Sequence, residues 1–211
     1  MSRAGRLVIL NGAPRAGKSA IVAAMQALPG SAWLNLGVDV HVRAMTPPQL
    51  QPGIGLRPGG ERPDLEPFVV ASYAALFDTL AAHARHGLDV VADLGIHDGY
   101  SLPRGILADG ARRLAGTASL FVGVHCPLPV ILARRAAGEA GREGLYLQAA
   151  CGTVPEPVLR WQQAVHHQVV YDLALDTSVL SPQACAEAIA TRLAQPATHP
   201  SALARLAAGD G

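Results

Sequence analysis

Hydrophobic positions in this chain fall into short unbroken runs separated by longer stretches in which apolar residues recur every three or four places. The first run, "RLVILNG" at 6–12, is rich in leucine and β-branched residues and shows no polar alternation. That is the pattern of a strand buried on both faces. "KSAIVAAMQAL" at 18–28 is alanine-rich and helix-prone, and Pro29-Gly30 stops it. "AWLNLGV" at 32–38 reads as a short second strand. Between 66 and 86, Val69, Tyr73, Leu76, Phe77, Leu80 and Ala84 recur at helical spacing, which predicts a long helix closed by Gly87. "LDVVADL" (88–94), "SLFVGVHC" (119–126) and "YDLALDT" (171–177) supply three more strands. Further helices are expected near 101–115, from 129 into a Gly-rich, Arg-bearing segment at 141, within 155–169, and near 182–194. The last has Ser181 as N-cap and Pro182 as its first residue.

Strands alternating with helices predict an α/β fold: a parallel sheet of five strands with helices on both faces, three layers in all, over residues 1–195. The segment 47–64, "PPQLQPGIGLRPGGERPD", is dense in Pro and Gly and is read as a loop or substrate flap. The tail, 196–211, reads as loosely held, with one short apolar stretch able to dock as a helix. No internal repeat or linker divides the chain.

Composition narrows the function classes. At 211 residues, half of them apolar, the chain suits one domain with a sizeable core. It has no run of eighteen apolar residues, so no membrane span is expected. The first strand-like run starts at once, leaving no room for a signal peptide, and the expected location is cytoplasmic. A net charge of +1 with scattered arginines gives no electrostatic ground for nucleic acid or an anionic membrane as partner. Cys126, Cys151 and Cys185 are odd in number and form no CxxC pair, so reduced thiols are expected rather than a disulfide framework or zinc site. Cys126 and Cys185 read as small buried hydrophobes.

"GAPRAGKS" at 12–19 matches G-x-x-x-x-G-K-[ST] and stands where that motif has to stand, between a buried strand and a helix. Its lysine is the sole lysine of the chain; the other sixteen basic side chains are arginines. A compact ammonium on a flexible stem reaches into a nest of backbone N–H groups that a planar guanidinium does not enter. The cradle predicted for the phosphates of a nucleoside triphosphate comprises Gly12, Ala13, Pro14, Arg15, Ala16, Gly17, Lys18, Ser19 and Ala20. Ser19 is the expected Mg²⁺ ligand. Asp93, at the C-terminal end of the third strand, is the second metal-side group, the alternative being a cap for the turn that follows.

A kinase also needs a base, a flap and arginines that neutralise charge during transfer. Asp39, in "LGVDVHV", lies just past the second strand and is the candidate base, the alternative being a helix N-cap. The segment 134–150 is the candidate lid, and of Arg134, Arg135 and Arg142 one or two are expected to reach phosphate. His41, His97, His125, His166 and His167 have no metal-binding spacing and read as ordinary histidines, while His97-Asp98 is read either as a substrate contact or as plain loop.

Together, "ILNGAPRAGKSAIV", "WLNLGVDV", "VGVHC" with the arginine segment, and "AVHHQVVYDLALDTSVLSPQACAEAI" resemble the chloramphenicol 3-O-phosphotransferase family of P-loop kinases, over nearly the whole chain to about residue 194. The resemblance implies an ATP-dependent O-phosphotransferase with a shikimate-kinase-like fold. It places the catalytic aspartate on Asp39, the loop lysine and serine on Lys18 and Ser19, the strand-end aspartate on Asp93, and the lid arginines on Arg134 and Arg142. At Asp93 the family's antibiotic kinase has two acidic residues and this chain has one. The stretches 47–64 and 96–105 do not follow that enzyme. The expected partner is a small molecule with a hydroxyl group, whether an antibiotic such as chloramphenicol or a metabolic or nucleoside-like acceptor. An ATP-binding P-loop regulator is the alternative from another class, and homo-oligomer formation is left open.

Overall fold

The structure, a computed structural model, describes residues 3–30, 32–137, 154–196 and 199–209. Five strands form one parallel sheet: β1 (Arg6–Asn11), β2 (Leu34–Asn35), β3 (Val90–Leu94), β4 (Ala118–His125) and β5 (Leu173–Asp176), in the order β2-β3-β1-β4-β5. In β1, Leu7 and Ile9 point to one face and Val8 and Leu10 to the other, and all four are buried. The unbroken apolar run follows from this, because each side of the strand has a core to fill.

The helices follow in chain order: α1 (Lys18–Ala27), α2 (Val38–Val40, continued by a π turn at His41–Met45), α3 (Glu66–Arg85), α4 (Ile106–Arg113), α5 (Leu128–Ala136), α6 (Glu156–Ala164), α7 (Pro182–Ala194) and α8 (Ala202–Ala208). On one face of the sheet, Val69, Tyr73, Leu76, Phe77 and Leu80 of α3 pack with Leu7 and Ile9. On the other, Ile21, Val22 and Met25 of α1 and Cys185, Ala186 and Ile189 of α7 pack with Val8 and Leu10. The expected three layers are present. Cys126 and Cys185 are buried, and Cys151 lies outside the described residues. No helix among the described residues is long and apolar enough to cross a membrane.

The structure departs from the expectations in two places. The second strand is only two residues long, because Asn35 folds its side chain onto Gly37 N (3.0 Å) and turns the chain away. In the tail, the short apolar stretch docks as a helix, as expected. Ser201 caps α8 through Ala204 N, the Asp172 carboxylate accepts a bond from Ala202 N at 2.7 Å, and Leu203 is buried among the α3–α4 side chains.

The other departure is the Pro/Gly-rich segment, which is pinned. It forms two short 3₁₀ turns, Pro48–Leu50 and Gly53–Gly55. Ile54 and Leu56 enter the core. Tyr73 Oη donates to Ile54 O (3.2 Å), His97 Nε2 to Leu56 O (3.0 Å) and Gly59 N to Gly99 O (2.6 Å). His97 Nδ1 meanwhile accepts from Gly99 N (3.2 Å), so the two bonds together fix the neutral Nε2–H tautomer. Burial agrees with this, pushing the His97 pKa below the usual value.

Candidate active site

The parallel register brings Asn11, Leu94 and Gly123 level at the C-terminal edge of β1, β3 and β4. The loop after β1 leaves that edge with almost no room. A Cβ on Gly12 would lie 2.4 Å from Val124 O, and Gly17 has φ of 97°, so both motif glycines are required by geometry. Gly17 precedes Lys18, the first residue of α1, and no side chain caps that helix start. Its first N–H groups and the positive end of the helix dipole therefore face the loop, as anion binding requires. Lys18 Nζ curls back and donates to Gly12 O (2.7 Å) and Ala13 O (3.0 Å), which holds the ammonium across the mouth of the loop.

Ser19 Oγ donates to Asp93 Oδ2 at 2.7 Å. Burial pushes the Asp93 pKa up; the charge of Lys18 and the Ser19 hydrogen bond pull it down, and the charge of Asp39 pushes it up again. The net direction is upward. The influence of Asp39 shows that the two carboxylates share one electrostatic neighbourhood. Backbone geometry explains it: Gly37 passes so close to Asp93 that a Cβ there would sit 1.7 Å from Oδ1. The chain needs that contact to carry Asp39, two residues on, into the cleft.

Arg134, on α5, is tied down on the other side of the loop. It donates to Thr177 Oγ1 (3.1 Å), Thr177 O (2.6 Å) and Arg15 O (3.3 Å), and the Arg15 guanidinium bonds back to Arg134 O. Thr177 in turn donates to Ala16 O at 2.7 Å. This cluster braces the phosphate loop against α5 and the end of β5.

A second brace lies under the loop. Buried Asn11 donates to Val165 O (3.0 Å) and Tyr171 Oη (3.0 Å) and accepts from Ile96 N (2.7 Å). The Tyr171 hydroxyl donates to His166 Nδ1 at 2.7 Å, and the His166 ring stacks on His125 with centroids 4.0 Å apart. Burial, the neighbouring His125 and the Lys18 charge depress the His166 pKa to about 4. His166 is neutral at neutral pH and accepts the tyrosine proton.

One cleft of about 780 Å³ receives Gly12, Ala13, Pro14, Arg15, Gly17, Lys18, Ser19, Ala20, Asp39, Asp93 and Arg134. Ala16 is buried behind it. Arg135 also lines it, and Arg142 lies outside the described residues. The sequence reading missed Arg43, Arg57 and Trp161, which also line the cleft. It also missed Asn11, a polar residue closing an apolar run, and that break was the available signal. Nothing in the Pro/Gly-rich segment marks Arg57 apart from other arginines. His97 and Asp98 are engaged in loop architecture: Asp98 accepts from Arg104 N (2.6 Å) and Gly105 N (3.0 Å).

A hard cation fits the Ser19–Asp93 pair, a hydroxyl and a carboxylate beside the phosphate cradle. Magnesium is usually held by one or two carboxylates together with substrate phosphates and water. Among the described residues no group of three or more His, Cys, Asp or Glu is placed to hold a metal by itself.

A sequence model described as "Chloramphenicol phosphotransferase-like protein" matches residues 5–194. A curated Mycobacterium tuberculosis protein named "Putative O-phosphotransferase Rv2636" is 32% identical over 137 residues, which make up 57% of this chain and 57% of that protein. The match thus spans little more than half the length of the relative. Among solved structures, an APS kinase of M. tuberculosis in complex with AMPPNP and APS aligns with a TM-score of 0.63 at 17% identity, covering 92% of this chain and 99% of that one. A shikimate kinase of Acinetobacter baumannii in complex with shikimate aligns with a TM-score of 0.53 at 15% identity, covering 89% and 92%. At these identities the two structures speak for the fold, which is that of P-loop kinases.

Proposed function

Because the chain belongs to the chloramphenicol phosphotransferase-like family, we propose that it transfers the γ-phosphoryl group of ATP to a hydroxyl of a small molecule. The observation that carries this reading is the presence of Asp39 in the same cleft as the phosphate loop, beside the Ser19–Asp93 pair. A second carboxylate beside the phosphate loop supplies the base that transfer to a hydroxyl needs.

The roles follow from position. Backbone N–H groups of 12–19 and the start of α1 hold the β- and γ-phosphates, and Lys18 brings its ammonium to the oxygens between which charge shifts. Asp39 accepts the proton of the acceptor hydroxyl as its oxygen bonds to the γ-phosphorus. The bond to the β–γ bridging oxygen breaks, leaving ADP and a phosphate monoester. Arg134 faces the loop from α5 and balances the negative charge. Ser19 and Asp93 would hold magnesium, which supplies charge neutralisation at the phosphates. The pinned segment 47–64 forms the acceptor wall, and 134–150 is the candidate lid. The decisive measurement is ADP release from Mg-ATP with and without a panel of hydroxylated compounds, with phosphate incorporation followed by mass spectrometry. ADP release independent of every added acceptor would point to an ATP-binding regulator instead.

A further inference from the structure

The cleft offers donors that no described residue answers. Arg57 is half-buried, lines the cleft, and makes no hydrogen bond or ion pair with any described residue. Arg43, more exposed and also lining it, makes none either. Trp161 lines the same cleft, and its indole Nε1–H is buried without a hydrogen-bond partner among the described residues. A buried donor left unmatched costs about 1–3 kcal/mol, so its persistence at a binding cleft calls for an acceptor from outside.

The backbone presents these groups in a fixed way. The bonds of Ile54 O, Leu56 O and Gly59 N to Tyr73, His97 and Gly99 hold the segment on both sides of Arg57. His97 also meets Trp161 edge-on, with ring centroids 5.6 Å apart, so one histidine supports both donors. Arg43 stands four residues after Asp39 along continuous helical backbone. It therefore lies about one turn, roughly 6 Å, along from the base. The cleft wall also carries the apolar side chains Val38, Val42 and Ile54.

Donors without acceptors, two of them guanidinium forks, match a group that only accepts: a carboxylate, sulfate or phosphate. Building on the kinase reading, we propose that the natural acceptor is a compact hydroxylated anion. Its hydroxyl meets Asp39, its apolar framework lies on Val38, Val42 and Ile54, and its acidic group is bound by Arg57, assisted by Arg43 and the Trp161 N–H. An uncharged alcohol would leave these donors unmatched.

The test separates this claim from the one beneath it. With AMPPNP and Mg²⁺ saturating the phosphate loop, the protein is titrated by calorimetry with inorganic sulfate, shikimate and gluconate, and with methyl shikimate and glucose as uncharged counterparts. Binding of AMPPNP in the first step tests the kinase reading, and its absence would sink both. Given that binding, sulfate and the acids are expected to bind at least about tenfold more tightly than the uncharged compounds. Arg57→Gln is expected to remove that preference, and Arg57→Lys to restore most of it. A wild-type protein that binds charged and uncharged compounds alike, or an Arg57→Gln variant that keeps the preference, overturns the anionic acceptor and leaves the kinase standing.

Discussion

At the phosphate end of the cleft the protein matches its own polar groups. Lys18 bonds to two loop carbonyls, Ser19 to Asp93, and Arg134 to Thr177 and Arg15. At the acceptor end Arg43, Arg57 and the Trp161 N–H meet no described partner. The contrast has a physical source. A triphosphate binds mainly through backbone amides, and backbone amides need a rigid, pre-shaped loop; side chains that brace the loop stabilise it whether or not nucleotide is present. Selecting an acceptor depends on donors kept for the ligand, and these carry an unmet cost until the ligand arrives. The phosphate end reads as a finished scaffold, the acceptor end as a template of the molecule it takes.

The largest expected break of this contrast is at Lys18. Lys18→Ala removes the one compact cation of the loop, and phosphate transfer should fall below detection, with ATP affinity weakened in a fluorescent-nucleotide titration. Asp39→Asn should leave ATP affinity near wild type while turnover drops about 10²–10⁴-fold, the worth of a positioned base. A variant with normal turnover would remove Asp39 from the mechanism. Gly37→Ala tests whether the two ends are mechanically joined. Its Cβ would collide with Asp93, so both carboxylates should move, and turnover should fall on the order of 10²-fold, the typical effect of misplacement by about an ångström.

The smallest effect concerns pH. The His166 pKa is depressed in the folded state to about 4 from 6.5, so between those values the unfolded chain binds the extra proton. Stability is therefore full above about pH 6.5 and declines as pH falls toward 4. Burial depresses His41 and His97 in the same sense. The loss in melting temperature between pH 7 and 4.5 should thus shrink in His166→Gln without vanishing. An unchanged loss would place the acid sensitivity elsewhere.

Much of the molecule was legible because local rules are strong where the backbone does the work. The doubly buried run at 6–12 has the signature of a central parallel strand, and the Ser181-Pro182 start of α7 matched residue for residue. The Pro/Gly-rich stretch misled because glycine and proline report a turn-rich path, not whether that path is free. Ile54 and Leu56, two of the three aliphatic residues among eighteen, were the sign that it packs. The acceptor donors stayed hidden because an arginine's partners are set by distant chain segments, and Arg57 looks in sequence like Arg62, which pairs with Asp64.

From the order of residues alone came the alternating α/β plan, the phosphate loop with its single lysine, and the family likeness that places a base on Asp39. These rest on short-range spacing and on conformations only glycine adopts. The fold decided that Gly37 presses against Asp93 and carries Asp39 beside it, that Arg134 braces the loop through Thr177, and that two arginines and an indole N–H stand in one cleft unanswered by any described residue. Those facts depend on segments 40 to 160 residues apart meeting at the end of a sheet, and no local pattern records such a meeting.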